Sequence, residues 1–542
     1  MTETIAQTKS DNTGIRKGFV EAGGGLLHYV RRGQGPAVVM LHASPCSAKV
    51  MAPIQAAWSG EFTTFAFDLP GFGMSDLPQA DDITIELLAD VIAEGMDKLG
   101  IRQAALYGRH TGASVCLALA LQRPDLVSMM LTDGVPVFAT PYSEDRLKKY
   151  LKPITPSGDG MHLPWTFFRY RDQHMFWPWD AADIEHRSDA DLPDEHFLHR
   201  GTVEMLEAAE TYVPVYKSAF FYDTLSRIGG VSCPAYYGNR PGDSQFKTIQ
   251  HYPETADVRV MPRDPAEAEL AELELIRKHP AECAVPDWMS RIGTGGDKRD
   301  YIATRHGVVY AIGANLGGGG LPQLLLPDMP GGIDLHQAEI IAASETRPVI
   351  AVDPGGVGNS DIDGVATVDR WCEQIDDLLD HLGWDRVEVI ANGLSGALAA
   401  EFAERAGDRV DSLLLRSPAL LNEEERAGFI ANPAPEATPR ADGGHLLPVW
   451  HHLRDQELWW PWFDTSHEAI RTNPPRIAAA TLNKRAVAML KQAHHYRPVW
   501  AELISRDVAA QIAAFPQPVR IETEPSDIFH IPAARYLTAA AA

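Results

Sequence analysis

The sequence predicts an α/β protein in which one domain occurs twice. Short apolar runs alternate with amphipathic stretches of helical spacing, a pattern typical of a mostly parallel sheet flanked by helices. Several motifs also recur in the same order about 284 residues apart, a period too long for a solenoid repeat. The chain of 542 residues has room for two such domains, each large enough to form its own core.

In the first copy the alternation can be followed element by element. Apolar runs of about five residues indicate buried strands, and longer runs of period 3.6 indicate helices. The predicted strands cover 37–41, 62–67, 103–107 and 127–131, and the predicted helices cover 85–99 and 113–122. A tryptophan-rich region then interrupts the order and indicates a helical cap inserted into the domain.

These patterns divide the chain into four parts. Pro, Gly and charged residues between the copies are typical of a linker. The predicted parts are an N-terminal tail (1–16), a first domain (17–279, cap 153–226), a linker (280–300) and a degenerate second domain (301–542, cap 436–510).

Two motifs recur outside the elements themselves. The turn Asp-x-x-Gly-x-Gly-x-Ser begins at Asp68 and again at Asp353, where the aspartate most simply stabilises the turn. Within the cap, residues 162–179 match residues 445–462. Both matches keep the offset of the repeat, so a whole domain was duplicated.

A third repeated motif lies between a strand and a helix. Residues 106–113 read Leu-Tyr-Gly-Arg-His-Thr-Gly-Ala, and residues 390–397 read Ile-Ala-Asn-Gly-Leu-Ser-Gly-Ala. The context is that of a Gly-x-Ser-x-Gly nucleophile elbow, which presents its central side chain on a sharp turn. At the centre the two copies have His110 and Leu394. A register that makes Ser395 the nucleophile is an alternative, but it breaks the glycine match.

In this order the motifs resemble the α/β-hydrolase superfamily with a cap domain, over nearly all of each half. The resemblance implies a nucleophile position at His110 and at Leu394. It implies an oxyanion-hole loop at 42–45, with Pro-Asp-Met-Pro at 327–330 in the second copy. The acid that follows strand seven in the family falls on Asp243 and Asp527.

The histidine that follows strand eight in the family has no counterpart here. In the first copy this strand is predicted at 258–261 and runs into Pro262-Arg263-Asp264. The second copy reaches its last residue before a closing strand is complete. Neither half therefore has the family triad, and ordinary serine-hydrolase chemistry is not expected.

An imidazole on the elbow is chemically self-sufficient, because it is both a nucleophile and a base near pH 7. We expect His110 to be catalytic, with Asp243 orienting it or capping a helix. The backbone amides of Ala43 and Thr111 are expected to form the oxyanion hole, worth about 3 kcal/mol per donor. His42 is a candidate second proton carrier, which favours proton transfer or water activation over covalent attack.

The cap is expected to roof the pocket. Tyr212 and Tyr216 are possible donors to a substrate oxygen. The alternative is that these cap residues are structural, with an Arg171–Asp172 ion pair and a Trp-Pro-Trp segment packed in the cap. Aromatic lining favours a small, mostly apolar substrate. The candidate pocket residues are Arg109, His162, Arg171, Trp177, Tyr212 and Tyr216.

The composition of the chain limits which classes of partner we expect it to bind. A formal charge of −25 argues against nucleic acids and anionic membranes, and no run is long enough for a membrane span. Five unevenly spaced cysteines give neither a disulfide framework nor a zinc motif, and the N-terminus does not read as a signal peptide. We expect a cytoplasmic protein that binds a small molecule and needs no metal or other cofactor.

Two functions compete. In the first, the chain is an enzyme in which His110 acts on an ester, a lactone or an activated carbon–carbon bond, or performs lyase or hydratase chemistry. In the second, both halves are inactive and the protein binds a ligand or serves as a scaffold. In either case the second half is expected to be non-catalytic, as a scaffold, a ligand-binding module or a homodimer contact.

Overall fold

The computed structural model describes residues 14–138, 142–290, 292, 299–329 and 331–541. Within these the chain divides into two compact units. The first unit comprises the described residues of 14–155 and 162–289, and the second comprises 156–161 and the described residues of 290–541. Most of the predicted N-terminal tail, part of the predicted linker and Pro330 lie outside the described residues.

The first unit contains an eight-stranded sheet in the order β1-β2-β4-β3-β5-β6-β7-β8. The pairs β1–β2 and β2–β4 are antiparallel, and all other neighbours are parallel. Its strands are β1 (Arg16–Ala22), β2 (Gly25–Arg32), β3 (Ala37–Leu41), β4 (Thr63–Phe67), β5 (Ala104–Arg109), β6 (Val127–Asp133), β7 (Ala235–Asn239) and β8 (Asp257–Val260).

Nine α-helices surround or extend this sheet among the described residues. The central strands β3 and β4 are buried along their whole length, as their continuous apolar sequences predict. The helices are α1 (Ala52–Trp58), α2 (Ile85–Leu99), α3 (Thr111–Gln122), α4 (Glu144–Tyr150), α5 (His162–Met175), α6 (Glu195–Glu207), α7 (Tyr212–Phe221), α8 (Thr224–Arg227) and α9 (Pro265–Ile276).

The second unit repeats this topology without its last strand. Its sheet has the order β9-β10-β12-β11-β13-β14-β15, so β15 is an edge strand and no eighth strand follows within the described residues. The strands are β9 (Arg299–Thr304), β10 (Gly307–Ala314), β11 (Gln323–Leu326), β12 (Val349–Val352), β13 (Val387–Asn392), β14 (Val410–Arg416) and β15 (Val519–Glu522).

The helices of the second unit follow the same plan. The segment between β14 and β15 is helical, as is the segment between β6 and β7 in the first unit. Both lie where the caps are predicted, and they are called the caps below. The helices are α10 (Gln337–Ser344), α11 (Val368–Leu382), α12 (Ser395–Ala406), α13 (Glu423–Ala431), α14 (Leu446–Leu458), α15 (Ala479–Lys491), α16 (Tyr496–Ile504), α17 (Val508–Ala514) and α18 (His530–Ala541).

The predicted fold class is therefore confirmed: two mostly parallel sheets, each flanked by helices. The predicted strands and helices of the first copy agree with the observed ones within two residues. None of the described helices is long and apolar enough to cross a bilayer.

The repeated aspartate turns are built alike but are charged differently. Asp68 accepts the N–H of Met74 at 2.9 Å and lies 2.8 Å from Nδ1 of His28. Burial opposes its charge, but the interaction with His28 prevails and lowers the pKa of Asp68. Asp353 is equally buried, and burial together with the nearby Asp334 raises the pKa of its carboxyl to about 7.

Removing each carboxyl is expected to have opposite pH signatures. Because the pKa of Asp353 is higher in the folded than in the unfolded protein, this residue makes the folded protein less stable as pH rises from about 4 to 7. Asp353→Asn should therefore gain stability relative to wild type over that interval, by on the order of 2–4 kcal/mol. Asp68→Asn should lose stability, with a deficit that is complete above pH 4 and shrinks below it. Urea unfolding at several pH values measures both differences, and equal slopes for the two variants would contradict the assignment.

Candidate active site

The elbow of the first unit is a single-residue corner. Strand β5 ends at Arg109 and α3 begins at Thr111, and His110 between them has φ 46° and ψ −115°. A non-glycine residue adopts positive φ only when its surroundings enforce it. Here the N–H of His110 donates to the carbonyl of Asp133 at 3.2 Å, which ties the corner to β6.

The side chain presented by this corner has an acidic partner. Nε2 of His110 lies 2.8 Å from Oδ2 of Asp243, which follows β7. The other carboxylate oxygen accepts the N–H of Gln245 at 2.7 Å. Gly134 makes room for the pair, because a Cβ there would lie 3.1 Å from Asp243 and 3.3 Å from His110. The structure thus brings together the expected elbow residue and the expected acid.

The pair is electrostatically matched. Burial by itself lowers the pKa of His110, but the charge and the hydrogen bond of Asp243 outweigh it and raise that pKa above 6.5. In turn, His110 outweighs the burial of Asp243 and lowers the pKa of its carboxyl. The His110 side chain remains 31% exposed. Since Nε2 faces the carboxylate, Nδ1 is the nitrogen left for chemistry.

Two backbone N–H groups are the candidates for the oxyanion hole. The N–H of Thr111 is the first of α3, one of those that a helix leaves without an intrahelical acceptor. Ala43 follows β3, and β3 pairs with β5 so that Leu41 is opposite Gly108. Neither N–H has an acceptor within the part of the chain that the structure describes. Both therefore remain open as hydrogen-bond donors.

Both ring nitrogens of His42 are hydrogen-bonded to backbone groups. Its Nδ1 lies 2.9 Å from the carbonyl of Ala43, and its Nε2 accepts the N–H of Leu69 at 2.9 Å. The ring is fully buried, which lowers its pKa and keeps it neutral. The expected role of His42 as a proton carrier does not fit this arrangement, because both ring nitrogens are already used.

A buried acid of the cap fixes the same loop from the other side. Glu204, on α6, accepts Oγ of Ser47 at 2.7 Å and its N–H at 3.2 Å. Burial raises the pKa of Glu204 to about 7. The cap and the loop that bears Ala43 are therefore joined by direct hydrogen bonds.

Three of the expected pocket residues serve other contacts. Arg109 turns to Asp133, with Nε 3.1 Å from the carboxylate, and donates to the hydroxyl of Tyr107. Nη1 of Arg171 lies 3.6 Å from the sulfur of Met175, and no ion pair with Asp172 is present among the described residues. His162 is buried at the start of α5.

The aromatic candidates lie together in the cap. Hydroxyls of Tyr216 and Tyr150 are 3.0 Å apart, and Tyr212 donates to the carbonyl of Lys152. The ring of Trp177 packs edge-on against Tyr150 with centroids 5.6 Å apart. Tyr212 is thereby committed to the backbone, whereas Tyr216 belongs to a hydroxyl pair.

Sequence reasoning missed two cap residues on α5, Arg169 and His174. His174 is held at a pKa of about 4 by burial, with Arg169 and His110 adding positive charge nearby, so its ring is neutral at pH 7. Its Nε2 is buried without a partner among the described residues. The signal was a difference between the copies, since the aligned cap segments have histidine at 174 and glutamate at 457.

The elbow of the second unit presents no side chain. The residue with positive φ is Gly393 (55°), and Leu394 is helical with φ −66°. The N–H of Gly393 donates to Arg416, as that of His110 donates to Asp133. The prediction that Leu394 occupies the corner is thus wrong by one residue. In both units the corner is the first residue after the strand, and in the second unit this residue is Gly393, one position before the centre of the sequence motif.

A carboxylate occupies the space beside this second corner. Oδ1 of Asp328 accepts the N–H of Leu394 at 3.1 Å, the amide that corresponds to Thr111. Oγ of Ser395 donates to the carbonyl of Asn392 at 2.8 Å and is buried, so Ser395 is not presented as a nucleophile. Asp527 accepts the hydroxyl of Ser417 at 2.6 Å, where the first unit has an imidazole.

A cavity of about 70 Å³ lies next to Asp328 in the second unit. Its lining is aromatic and aliphatic with a few polar groups, including Asp328, His336, Arg485 and Tyr496. In neither unit do the described residues contain a cluster of three His, Cys, Asp or Glu side chains placed to hold a metal ion.

Comparison with known families agrees with this architecture. A family model described as the α/β-hydrolase fold matches residues 36–158 and again residues 324–446. Each match begins at the third strand of one sheet and extends beyond its elbow. With the strand order of both sheets, this shows that the chain belongs to the α/β-hydrolase superfamily and contains its fold twice.

Curated relatives are similar over shorter stretches. Haloalkane dehalogenase 2 of Mycobacterium tuberculosis is 33% identical over 103 residues, 19% of this chain and 36% of the relative. Zearalenone hydrolase of Cladophialophora bantiana is 32% identical over 113 residues, 20% of this chain and 43% of the relative. Bifunctional epoxide hydrolase 2 of Sus scrofa is 29% identical over 138 residues, 25% of each chain. The chain thus spans less than half the length of each of these relatives.

Solved structures of epoxide hydrolases are also similar. One from Vigna radiata is 18% identical with a TM-score of 0.40, covering 50% of this chain and 99% of that protein. Epoxide hydrolase A of Mycobacterium thermoresistibile is 18% identical with a TM-score of 0.38, covering 50% and 100%.

Asp243→Asn should lower the pKa of His110, because the variant removes the negative charge that raises it. NMR titration of the imidazole resonances measures this pKa. Asp527→Asn is the matched control, since it changes the corresponding acid of the second unit and should leave the titration of His110 unchanged. An unchanged pKa in Asp243→Asn would show that the two side chains are not paired in solution.

Proposed function

We propose that the protein is a hydrolase of small, mostly apolar carbonyl compounds in which His110 is the general base. The observation that supports this most directly is the 2.8 Å contact between His110 and Asp243 at a corner with positive φ. Backbone strain of this kind persists where it serves to present a side chain.

In the proposed reaction, Nδ1 of His110 takes a proton from water as the water oxygen attacks the carbonyl carbon of an ester or lactone. Asp243 stabilises the resulting imidazolium. The N–H groups of Ala43 and Thr111 stabilise the negative oxygen of the tetrahedral intermediate. When the bond to the leaving oxygen breaks, the same Nδ1 returns the proton to that oxygen, and the carboxylic acid product is released. The imidazole is then neutral again.

The relatives support hydrolysis as the reaction class, but their printed activities do not transfer directly. Displacement of a halide in the manner expected for a dehalogenase requires a carboxylate on the elbow, and this chain has an imidazole there. Covalent attack by His110 to give an acyl-imidazole is less favoured, because pairing with Asp243 and a raised pKa suit a base. Abstraction of a proton from carbon, as in a lyase, would use the same residue and is the second candidate.

We further propose that the second unit performs no chemistry. Its corner is a glycine, the amide beside that corner is bonded to Asp328, and Asp527 is bonded to a serine. These contacts favour a scaffold or a homodimer contact through this unit. A binding role for its cavity, and cytoplasmic location of the whole protein, remain predictions.

His110→Ala should lower kcat/KM for p-nitrophenyl butyrate by about 10²–10⁴, the usual contribution of a general base. In the wild type, kcat/KM should rise with pH and level off above a pKa that is higher than 6.5. Asp243→Asn should move this inflection to lower pH and reduce the plateau. Steady-state kinetics from pH 5 to 9 measures all three effects.

Leu394→Ala is the matched control in the second unit and should leave kcat/KM within twofold. If His110→Ala retains wild-type turnover on a substrate that the wild type hydrolyses, His110 is not the base. If a substrate is bound but not converted by the wild type over hours, the protein is a binding module.

A further inference from the structure

The cap of the first unit contains a fully buried cation for which no anion is present among the described residues. Arg169 on α5 has no exposed surface, and its Nη1 donates to Oε1 of Gln173 at 2.6 Å. Its Nε and Nη2 are buried without any hydrogen-bond partner. An unpaired buried charge is costly, so buried arginines are ordinarily paired with carboxylates or phosphates.

Aromatic rings surround this guanidinium. Its central carbon lies 4.6 Å from the ring centroid of Trp179 and 5.3 Å from that of Tyr150. Such contacts stabilise a cation, but they do not satisfy N–H groups in the plane of the guanidinium. Asp172 is close enough to interact electrostatically, yet it makes no ion pair with Arg169 in the part of the chain described. Two nitrogens of the guanidinium are therefore left without an acceptor among the described residues.

The position of Arg169 relates it to the proposed active site. The charges of both Arg169 and His110 act on the ring of His174, so all three belong to one neighbourhood. The charge of Arg169 also acts on the hydroxyls of Tyr212 and Tyr216. In the second unit the aligned cap residue is His452, which lacks this charge because burial holds its pKa at about 3.

We propose that Arg169 binds the carboxylate of a small aromatic or aliphatic acid, so that the first unit acts on substrates or releases products that carry a carboxylate. The planar guanidinium offers Nε and Nη2 side by side, the geometry that matches two carboxylate oxygens. The surrounding rings suit an apolar body attached to that group. This assignment names the substrate class of the proposed function, and it rests on that function only in placing the anion near His110.

The test is binding of phenylacetate and of its neutral analogue phenylacetamide, measured by calorimetry and by the shift in Tm. Wild type should bind phenylacetate at least tenfold more tightly than the amide, and phenylacetate should raise Tm. Arg169→Met should lose this preference, and Arg169→Lys should retain part of it. Arg171→Met removes a cation from the same helix and should keep the preference intact.

His110→Ala separates this proposal from the proposed function, because the variant should still prefer phenylacetate even though it is inactive. Equal affinities of the wild type for acid and amide would overturn the carboxylate site, whether or not Arg169→Met folds. An unchanged preference in a folded Arg169→Met would assign Arg169 a structural role only. A Tm increase by chloride or phosphate equal to that by phenylacetate would also overturn the proposal.

Discussion

The structure of the first unit depends on how closely β3 and β5 approach the start of α3. A Cβ on Gly112 would lie 2.2 Å from the carbonyl oxygen of Leu41, and one on Gly108 would lie 2.6 Å from the carbonyl oxygen of Gly112. Only glycine fits at both positions. This close packing forces the corner into a single residue, and the side chain at that residue is directed away from the sheet. The corner also sets the direction in which the imidazole of His110 approaches Asp243.

The second unit shows what becomes of the same corner when that constraint is relaxed. Ala391 is opposite Leu326 as Gly108 is opposite Leu41, and Ser395 stands where the first unit has Gly112, so neither position requires glycine. The positive φ moves to Gly393, and the polar groups around it bond to one another. Asp328 accepts the N–H of Leu394 beside the corner, and Asp527 accepts the hydroxyl of Ser417. Buried polar groups must find partners, and in this unit the protein itself supplies them.

The first unit, by contrast, keeps polar groups without protein partners close to its imidazole. Several groups have no hydrogen-bond partner among the described residues: the N–H groups of Ala43 and Thr111, Nε2 of His174 and two nitrogens of Arg169. A buried polar group without a partner is costly, so each of these groups calls for an explanation. The free N–H of Thr111 is next to His110 in the chain, whereas the corresponding N–H of Leu394 is bonded to Asp328. This difference between the two elbows is the main physical argument for a reactant site.

The sequence by itself determined the duplicated α/β fold, and it placed a histidine at the elbow and an acid after the seventh strand. These follow from local periodicity, from glycine spacing and from the order of motifs. Only the tertiary structure decided which groups remain free. It committed both nitrogens of His42 to the backbone, turned Arg109 toward Asp133, moved the second corner to Gly393, and left Arg169 unpaired. Such outcomes depend on contacts between residues far apart in the chain, for which no local pattern provides a signal.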